Sequence, residues 1–73
     1  MKLPIVSGLK VKKALLKVGF TEESQSGSHV KLFNSATKKI VIVPMHLELA
    51  KGTLLSIITQ SGLSREEFLE MLK

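Results

Sequence analysis

The sequence lacks cysteine, tryptophan, tyrosine and aspartate, and its only aromatic residues besides histidine are three phenylalanines. The absence of cysteine excludes a disulfide framework, a thiolate zinc site and a cysteine nucleophile. No apolar run reaches the roughly 18 residues that a membrane-spanning helix needs, and no basic segment followed by a long apolar run marks a signal peptide. We therefore expect a soluble cytoplasmic protein with no membrane association, built as a single domain over residues 1–73.

Positive charge is concentrated in the first part of the chain. The net charge is +5, and residues 1–46 hold eight lysines against two glutamates. A basic half on so small a domain is typical of proteins that bind a polyanion, above all nucleic acid. A charge that serves only solubility is the alternative interpretation.

A first helix is predicted between Ser7, a favourable N-cap, and Gly19, a favourable residue just beyond a helix C-terminus. An apolar stripe with helical spacing lies between them and is expected to face the core. It consists of Val11, Ala14, Leu15 and Val18. Leu9 and Leu16 lie together away from this stripe, either as ordinary surface residues or as a ridge that contacts a partner.

Residues 20–43 have the pattern of a three-stranded antiparallel meander. Residues 20–26 are polar apart from Phe20 and suit an edge strand. From 29 to 34 the side chains alternate, with Val30 and Leu32 on one face and His29, Lys31 and Phe33 on the other. A turn at 34–37 leads into 39–43, the strongest strand signal in the chain, which Pro44 ends.

Two more helices are predicted after the strands. Leu54, Ile57 and Ile58 form the apolar face of a helix over 53–61, and Gly62 closes it. Ser64 and Glu67 then have the spacing of a capping box, which begins a short helix that buries Phe68, Leu69 and Leu72. Helices on one face of an antiparallel sheet, in the order α-β-β-β-α with a short C-terminal helix, make an α+β two-layer domain.

The two histidines are the strongest candidates for catalysis. No glutamate stands at the spacing from either histidine that a shared metal site would need, and no glycine-rich phosphate loop is present. We therefore expect no metal and no cofactor. RNA carries its own nucleophile, the 2′-OH, so that cleavage needs only a base, a cation near the phosphorane and in-line geometry. His29 follows Gly27-Ser28 into a strand, with Lys31 on the same face. Gly27 would allow a phosphate to approach the backbone closely.

Each histidine also has a simpler interpretation. His29 is otherwise a surface histidine without a role, since a lone histidine is a weak signal. His46 is either a loop histidine that makes local hydrogen bonds or a second proton donor facing the leaving 5′-oxygen. The residues alone do not place His46 near His29.

Lysines form the predicted phosphate footprint. Lys10, Lys13 and Lys17 share one face of the first helix, and Lys38 and Lys39 follow the turn between the second and third strands. A solvated face is the alternative for any one of them. The three phenylalanines form no stacking platform, so recognition of single-stranded bases by a sheet face is not indicated.

Five ordered pieces of the sequence together resemble the HicA toxins of HicA–HicB toxin–antitoxin systems. They are Leu3 to Gly8, Leu15 to Phe20, Ser26 to His29, Val43 to His46 with Lys51 to Leu54 and Ile57-Ile58, and Gly62 to Ser64 with Glu67 to Leu69. The resemblance covers essentially the whole chain, and Gly27, Ser28 and His29 of the key motif are all present.

The resemblance implies a fold like that of the double-stranded-RNA-binding domain and the activity of an mRNA interferase. It places the catalytic histidine at His29 and its neighbouring glycine at Gly27. It also implies a HicB-type antitoxin that covers the active histidine in a hetero-oligomer and represses the operon with the toxin. His46 matches a recurrent position of the family, but the resemblance assigns it no catalytic role.

The leading prediction is a metal-independent endoribonuclease toxin that cleaves mRNA and blocks translation. His29 is its general acid or base, Gly27 and Ser28 shape the approach of the phosphate, and Lys31 holds the RNA backbone. The other predicted RNA contacts are Lys10, Lys13 and Lys17. Two alternatives stay open: a non-catalytic RNA-binding module of the same fold, and an interaction subunit that uses Leu9 and Leu16.

Overall fold

One helix, three strands and two further helices follow one another along the chain. A computed structural model describes residues 2–73. The elements are α1 (Gly8–Lys17), β1 (Thr21–Ser26), β2 (His29–Asn34), β3 (Lys39–Pro44), α2 (Lys51–Ser61) and α3 (Arg65–Met71). The strands form an open antiparallel sheet in the order β1-β2-β3. The α+β prediction is confirmed, and the order of elements is that of the double-stranded-RNA-binding fold.

The sheet buries one face and leaves the other partly open. Val30 pairs with Val43 and Leu32 with Val41, and all four are buried. The opposite face of β2 and β3 carries exposed or half-buried side chains: His29, Lys31, Phe33, Ile40 and Ile42. The predicted alternation along β2 is therefore confirmed, because side chains alternate between the two faces of a strand.

Helix α1 begins as predicted but ends one residue before the last member of its apolar stripe. The Ser7 side chain accepts a hydrogen bond from the Lys10 N–H, as an N-cap does. Val11, Ala14 and Leu15 are buried. The expectation that Val18 belongs to the buried stripe is wrong: it is the C-cap, its backbone leaves the helical region, and it is 42% exposed.

Helix α2 starts at Lys51, two residues before the predicted start. Its predicted face of Leu54, Ile57 and Ile58 is buried, and Gly62 ends the helix with a φ of 77°. Because a left-handed C-cap is strained for residues with a Cβ, glycine suits this position.

Helix α3 closes the core. Ser64 and Glu67 form the predicted capping box, with hydrogen bonds of 2.8 and 3.0 Å. Hydrogen bonding of the Glu67 carboxyl to the backbone N–H of Ser64, and secondarily to the Ser64 side chain, holds the pKa of that carboxyl below its ordinary value of 4.5. Phe68 is buried, whereas Leu69 and Leu72 are only half-buried, so the predicted burial holds fully for Phe68 alone. No helix within residues 2–73 is long and apolar enough to cross a membrane.

Candidate functional site

His29 is the first residue of β2 and follows a tight hairpin. Gly27 and Ser28 connect β1 to β2, and Ser26 pairs with His29 at the base of the loop. Gly27 has a φ of 59°, which glycine adopts readily at the first position of a two-residue hairpin loop. A Cβ at Gly27 would meet nothing within 4 Å, so the backbone before His29 is open to an approaching ligand.

Three hydrogen-bonded segments meet beside this hairpin. The Met45 N–H donates to the Ser28 carbonyl at 2.6 Å, and the Gly8 N–H donates to the His46 carbonyl at 2.9 Å. A Cβ on Gly8 would overlap the carbonyl oxygen of Pro44 and lie 2.9 Å from its carbonyl carbon. Glycine at the start of α1 therefore permits the helix to approach the end of β3 and to hold the segment that carries His46.

His29 and His46 are brought together by this arrangement. Pro44 lies directly opposite His29 in the sheet, and His46 follows two residues later. The two imidazole rings lie 6.5 Å apart between centroids, at an interplanar angle of 69°. Both residues are exposed. The residues alone did not predict this proximity, and the sheet register produces it.

A shallow cleft of about 470 Å³ lies between the two histidines and helix α2. Its lining consists of His29, Ile42, Pro44, His46, Gly52, Thr53, Ser56, Ile57 and Gln60. The polar groups in this lining are two imidazoles, two hydroxyls and one amide. Within residues 2–73 no carboxylate is part of it, and no cluster of three or more His or Glu side chains exists that would hold a metal ion.

Three polar residues of α2 line the cleft as well, although the sequence pattern alone does not single them out. Thr53, Ser56 and Gln60 recur at i, i+3 and i+7, so they share one face of the helix. This spacing was visible in the sequence beside the apolar face. Gln60 also contacts the sheet edge: its Oε1 accepts from the Ile42 N–H at 2.8 Å, and its Nε2 donates to the Ser56 Oγ at 3.1 Å.

The first turn of α2 adds partial positive charge at the edge of the cleft. Its N-cap is Ala50, which has no side chain to accept a hydrogen bond, and the turn contains no acidic residue. The first N–H groups of a helix lack partners within the helix and carry the positive end of the helix dipole. Gly52 and Thr53 of this turn line the cleft.

Lys31 lies two residues after His29 on the outer face of the sheet. Its Nζ lies 3.2 Å from the Glu23 carboxylate, so part of its charge is already compensated. Glu23 occupies an irregularity of the β1–β2 pairing between Glu22 and Ser24. Glu22 instead pairs with Lys12 of α1. The two neighbouring glutamates therefore face opposite sides of the sheet.

The lysines of α1 occupy a different surface from the histidines. Lys10, Lys13 and Lys17 line a groove together with Met71 and Leu72, between α1 and the C-terminal helix. They are not part of the histidine cleft. The predicted RNA contacts thus divide into two groups: Gly27, Ser28 and Lys31 near His29, and the three lysines along α1.

A family model described as the HicA toxin of bacterial toxin–antitoxin matches residues 8–63. This range runs from the start of α1 through all three strands and α2, and it includes every residue that lines the histidine cleft. A comparison with curated proteins finds no match.

Proposed function

This chain belongs to the HicA toxin family, and on that premise we propose that it is an endoribonuclease that cleaves mRNA in the cytoplasm without a metal ion. The observation that carries the proposal is the exposed pair of histidines in one cleft, with imidazole rings 6.5 Å apart. Histidine titrates near neutral pH and both accepts and donates protons there. Membership of the family gives the toxin role, and the ribonuclease activity that the resemblance implies is part of the proposal.

The reaction that suits these groups uses the RNA 2′-OH as nucleophile. An imidazole of the site removes its proton, the 2′-oxygen forms a bond to phosphorus, and the bond from phosphorus to the 5′-oxygen breaks. The 5′-oxygen takes up a proton and leaves. The products are a 2′,3′-cyclic phosphate and a 5′-hydroxyl, and DNA resists this chemistry because it lacks the 2′-OH. In this proposal His29 carries one of the two proton transfers.

Positive charge near His29 supports binding of the RNA backbone. Gly27 leaves the loop beside His29 open, and Lys31 lies on the same face, with part of its charge compensated by Glu23. The first turn of α2 contributes its partial charge from the other side of the cleft. Lys10, Lys13 and Lys17 extend the basic surface along α1, where they would hold a more distant part of the strand. Binding should therefore weaken as salt increases.

A HicB-type antitoxin is the proposed protein partner, as membership of a toxin–antitoxin family implies. Leu9 and Leu16 of α1 are 48% and 41% exposed, and they form the proposed contact ridge. Replacement of both by glutamate should weaken antitoxin binding and leave the melting temperature nearly unchanged, because neither belongs to the core. Unchanged affinity in a titration calorimetry experiment would remove the ridge from the proposal.

RNA cleavage by the purified protein with a chelator present tests the proposed function. We expect the parent to cut RNA, and His29→Ala to lose about 10²- to 10⁴-fold in rate, the usual contribution of a proton-transfer residue. Ser35→Ala is the matched control, because Ser35 is exposed in the turn at the other end of β2. Equal cutting by His29→Ala and the parent would contradict the proposal.

A non-catalytic RNA-binding module is the second candidate, favoured by the separate lysine groove along α1. It predicts salt-dependent RNA binding without cleavage by the parent. Its affinity would fall in the triple replacement of Lys10, Lys13 and Lys17 by alanine and would not change in His29→Ala.

A further inference from the structure

We infer that His46 is the second proton-transfer group of the site and protonates the leaving 5′-oxygen while His29 deprotonates the 2′-OH. This inference rests on the proposed ribonuclease function and deepens it. Its basis is geometric: both rings are exposed, they line one cleft, and their centroids lie 6.5 Å apart.

In-line displacement needs two proton transfers on opposite sides of the phosphorus. The attacking oxygen enters on one side while the leaving oxygen departs on the other, so one imidazole cannot contact both oxygens in the same transition state. Reacting atoms approach to about 3–3.5 Å, and a proton-transfer group must lie within about 2.6–3.2 Å of its oxygen. Two imidazoles that line one cleft, with ring centroids 6.5 Å apart, are placed so that each is able to contact one of these two oxygens.

The cleft that both rings line is open to a ligand. None of the side-chain hydrogen bonds within residues 2–73 involves either imidazole ring, so the ring nitrogens of both are available to a phosphodiester. The other polar side chains of the cleft, those of Thr53, Ser56 and Gln60 on α2, are neutral. Their hydroxyl and amide groups neither take nor give a proton near neutral pH. Among the cleft residues, only His46 is thus able to match His29.

The backbone of His46 is held in place, as a catalytic residue requires. Its carbonyl accepts the Gly8 N–H at 2.9 Å, and its neighbour Met45 donates to the Ser28 carbonyl at 2.6 Å. Ser28 directly precedes His29, so one hydrogen bond connects the segments that carry the two histidines. These hydrogen bonds therefore fix the backbone positions from which both side chains reach the same cleft.

The protons and bonds balance across the proposed step. The 2′-OH proton moves to the neutral His29, the 2′-oxygen bonds to phosphorus, the bond from phosphorus to the 5′-oxygen breaks, and the proton of the protonated His46 moves to that oxygen. Each histidine then holds the protonation state that the other had at the start. Exchange with solvent restores both, and no metal or other reactant enters.

A substrate whose leaving 5′-oxygen is replaced by sulfur distinguishes the roles of the two histidines. A thiolate leaves without receiving a proton, so loss of the group that protonates it should matter little. On ordinary RNA we expect His46→Ala to lose about 10²- to 10⁴-fold in kcat, with RNA affinity within about 2-fold of the parent. On the sulfur substrate that loss should shrink to a few-fold, whereas His29→Ala should stay impaired on both substrates.

Two variants control this experiment. Leu47→Ala changes the next residue, which is 95% exposed and lies outside the cleft, and it should cut both substrates like the parent. His46→Gln keeps a hydrogen-bond donor but transfers no proton near neutral pH, and it should behave like His46→Ala. His46→Ala, His46→Gln and Leu47→Ala should all melt close to the parent temperature. The side chains of His46 and Leu47 are exposed, and His46 is hydrogen-bonded only through its backbone.

Several results would overturn the inference. Full activity of His46→Ala on ordinary RNA, an equal loss on both substrates, or restoration of His29→Ala by the sulfur substrate would each refute His46 as the proton donor. All of these leave the ribonuclease function standing. Failure of the parent to cut either substrate would instead refute the proposed function.

Discussion

Replacement of Gly8 by alanine tests the close approach that holds His46 in place. A Cβ at this position would overlap the Pro44 carbonyl oxygen and lie 3.0 Å from the Met45 Cα, so backbone must move. Overpacking of this kind costs about 1–3 kcal/mol. The shift also weakens the hydrogen bond from the Gly8 N–H to the His46 carbonyl, worth about 0.5–1.5 kcal/mol.

The sign of this effect is diagnostic, because glycine to alanine usually stabilises a helix by up to about 1 kcal/mol. We expect Gly8→Ala instead to lower the free energy of unfolding by about 2–3 kcal/mol. For a domain of this size each kcal/mol shifts the melting temperature by about 4–8 °C. The loss should therefore be plain in thermal unfolding followed by circular dichroism.

Gly52 provides the matched control within the same chain. It also lies in the first turn of a helix, but a Cβ there would meet nothing within 4 Å. Gly52→Ala should thus keep or raise the melting temperature. If Gly8→Ala melted at or above the parent temperature, the argument that Gly8 is required for this approach would be refuted. RNA cleavage by folded Gly8→Ala should also fall, since the backbone of His46 moves.

Three further predictions concern the hairpin, the sheet edge and the last helix. Gly27→Ala should cost about 1–2 kcal/mol of stability in urea unfolding, because its φ of 59° is strained for alanine; Gly27→Asn should cost less, and equal losses would contradict a conformational cause. Gln60→Ala should speed hydrogen exchange at the Ile42 amide and cost about 0.5–1.5 kcal/mol, because that N–H loses its acceptor; unchanged exchange would refute this contact. The pKa of Glu67 is lowered in the folded state, so the ionised carboxylate of the capping box stabilises the fold at pH values above 4.5. This stabilisation is lost as the pH falls through the lowered pKa. Ser64→Ala should therefore lose this part of the pH dependence when thermal stability is measured across acidic pH, and an unchanged profile would contradict the assignment.

Local signals determined the elements of this fold and most of its core. The Ser7 cap, the Ser64–Glu67 capping box and the alternation along β2 depend on residues a few positions apart, so their pattern is legible in the chain itself. Val18 is the residue for which such a local signal gives the wrong result. Its spacing continues the apolar stripe, but α1 stops at Lys17, and a periodic pattern does not specify the residue at which a helix ends.

The candidate site was only partly accessible from the sequence. The position of His29 after Gly27 and Ser28 was apparent, and the family resemblance selected it. The residues of α2 that face it were not recognised, because Thr53, Ser56 and Gln60 are unremarkable polar residues until a strand edge lies against them. Whether lysines and histidines share a surface was equally undetermined, and the structure places the α1 lysines in another groove.

The sequence by itself therefore determined the order of helices and strands, the buried face of the sheet and the chemical types available for catalysis. The tertiary structure alone decided that His46 lies beside His29, and that Gly8 is the residue through which α1 holds that segment. The physical reason is that caps and alternation act between near neighbours, whereas the approach of two side chains 17 residues apart depends on strand register and helix packing across the whole domain.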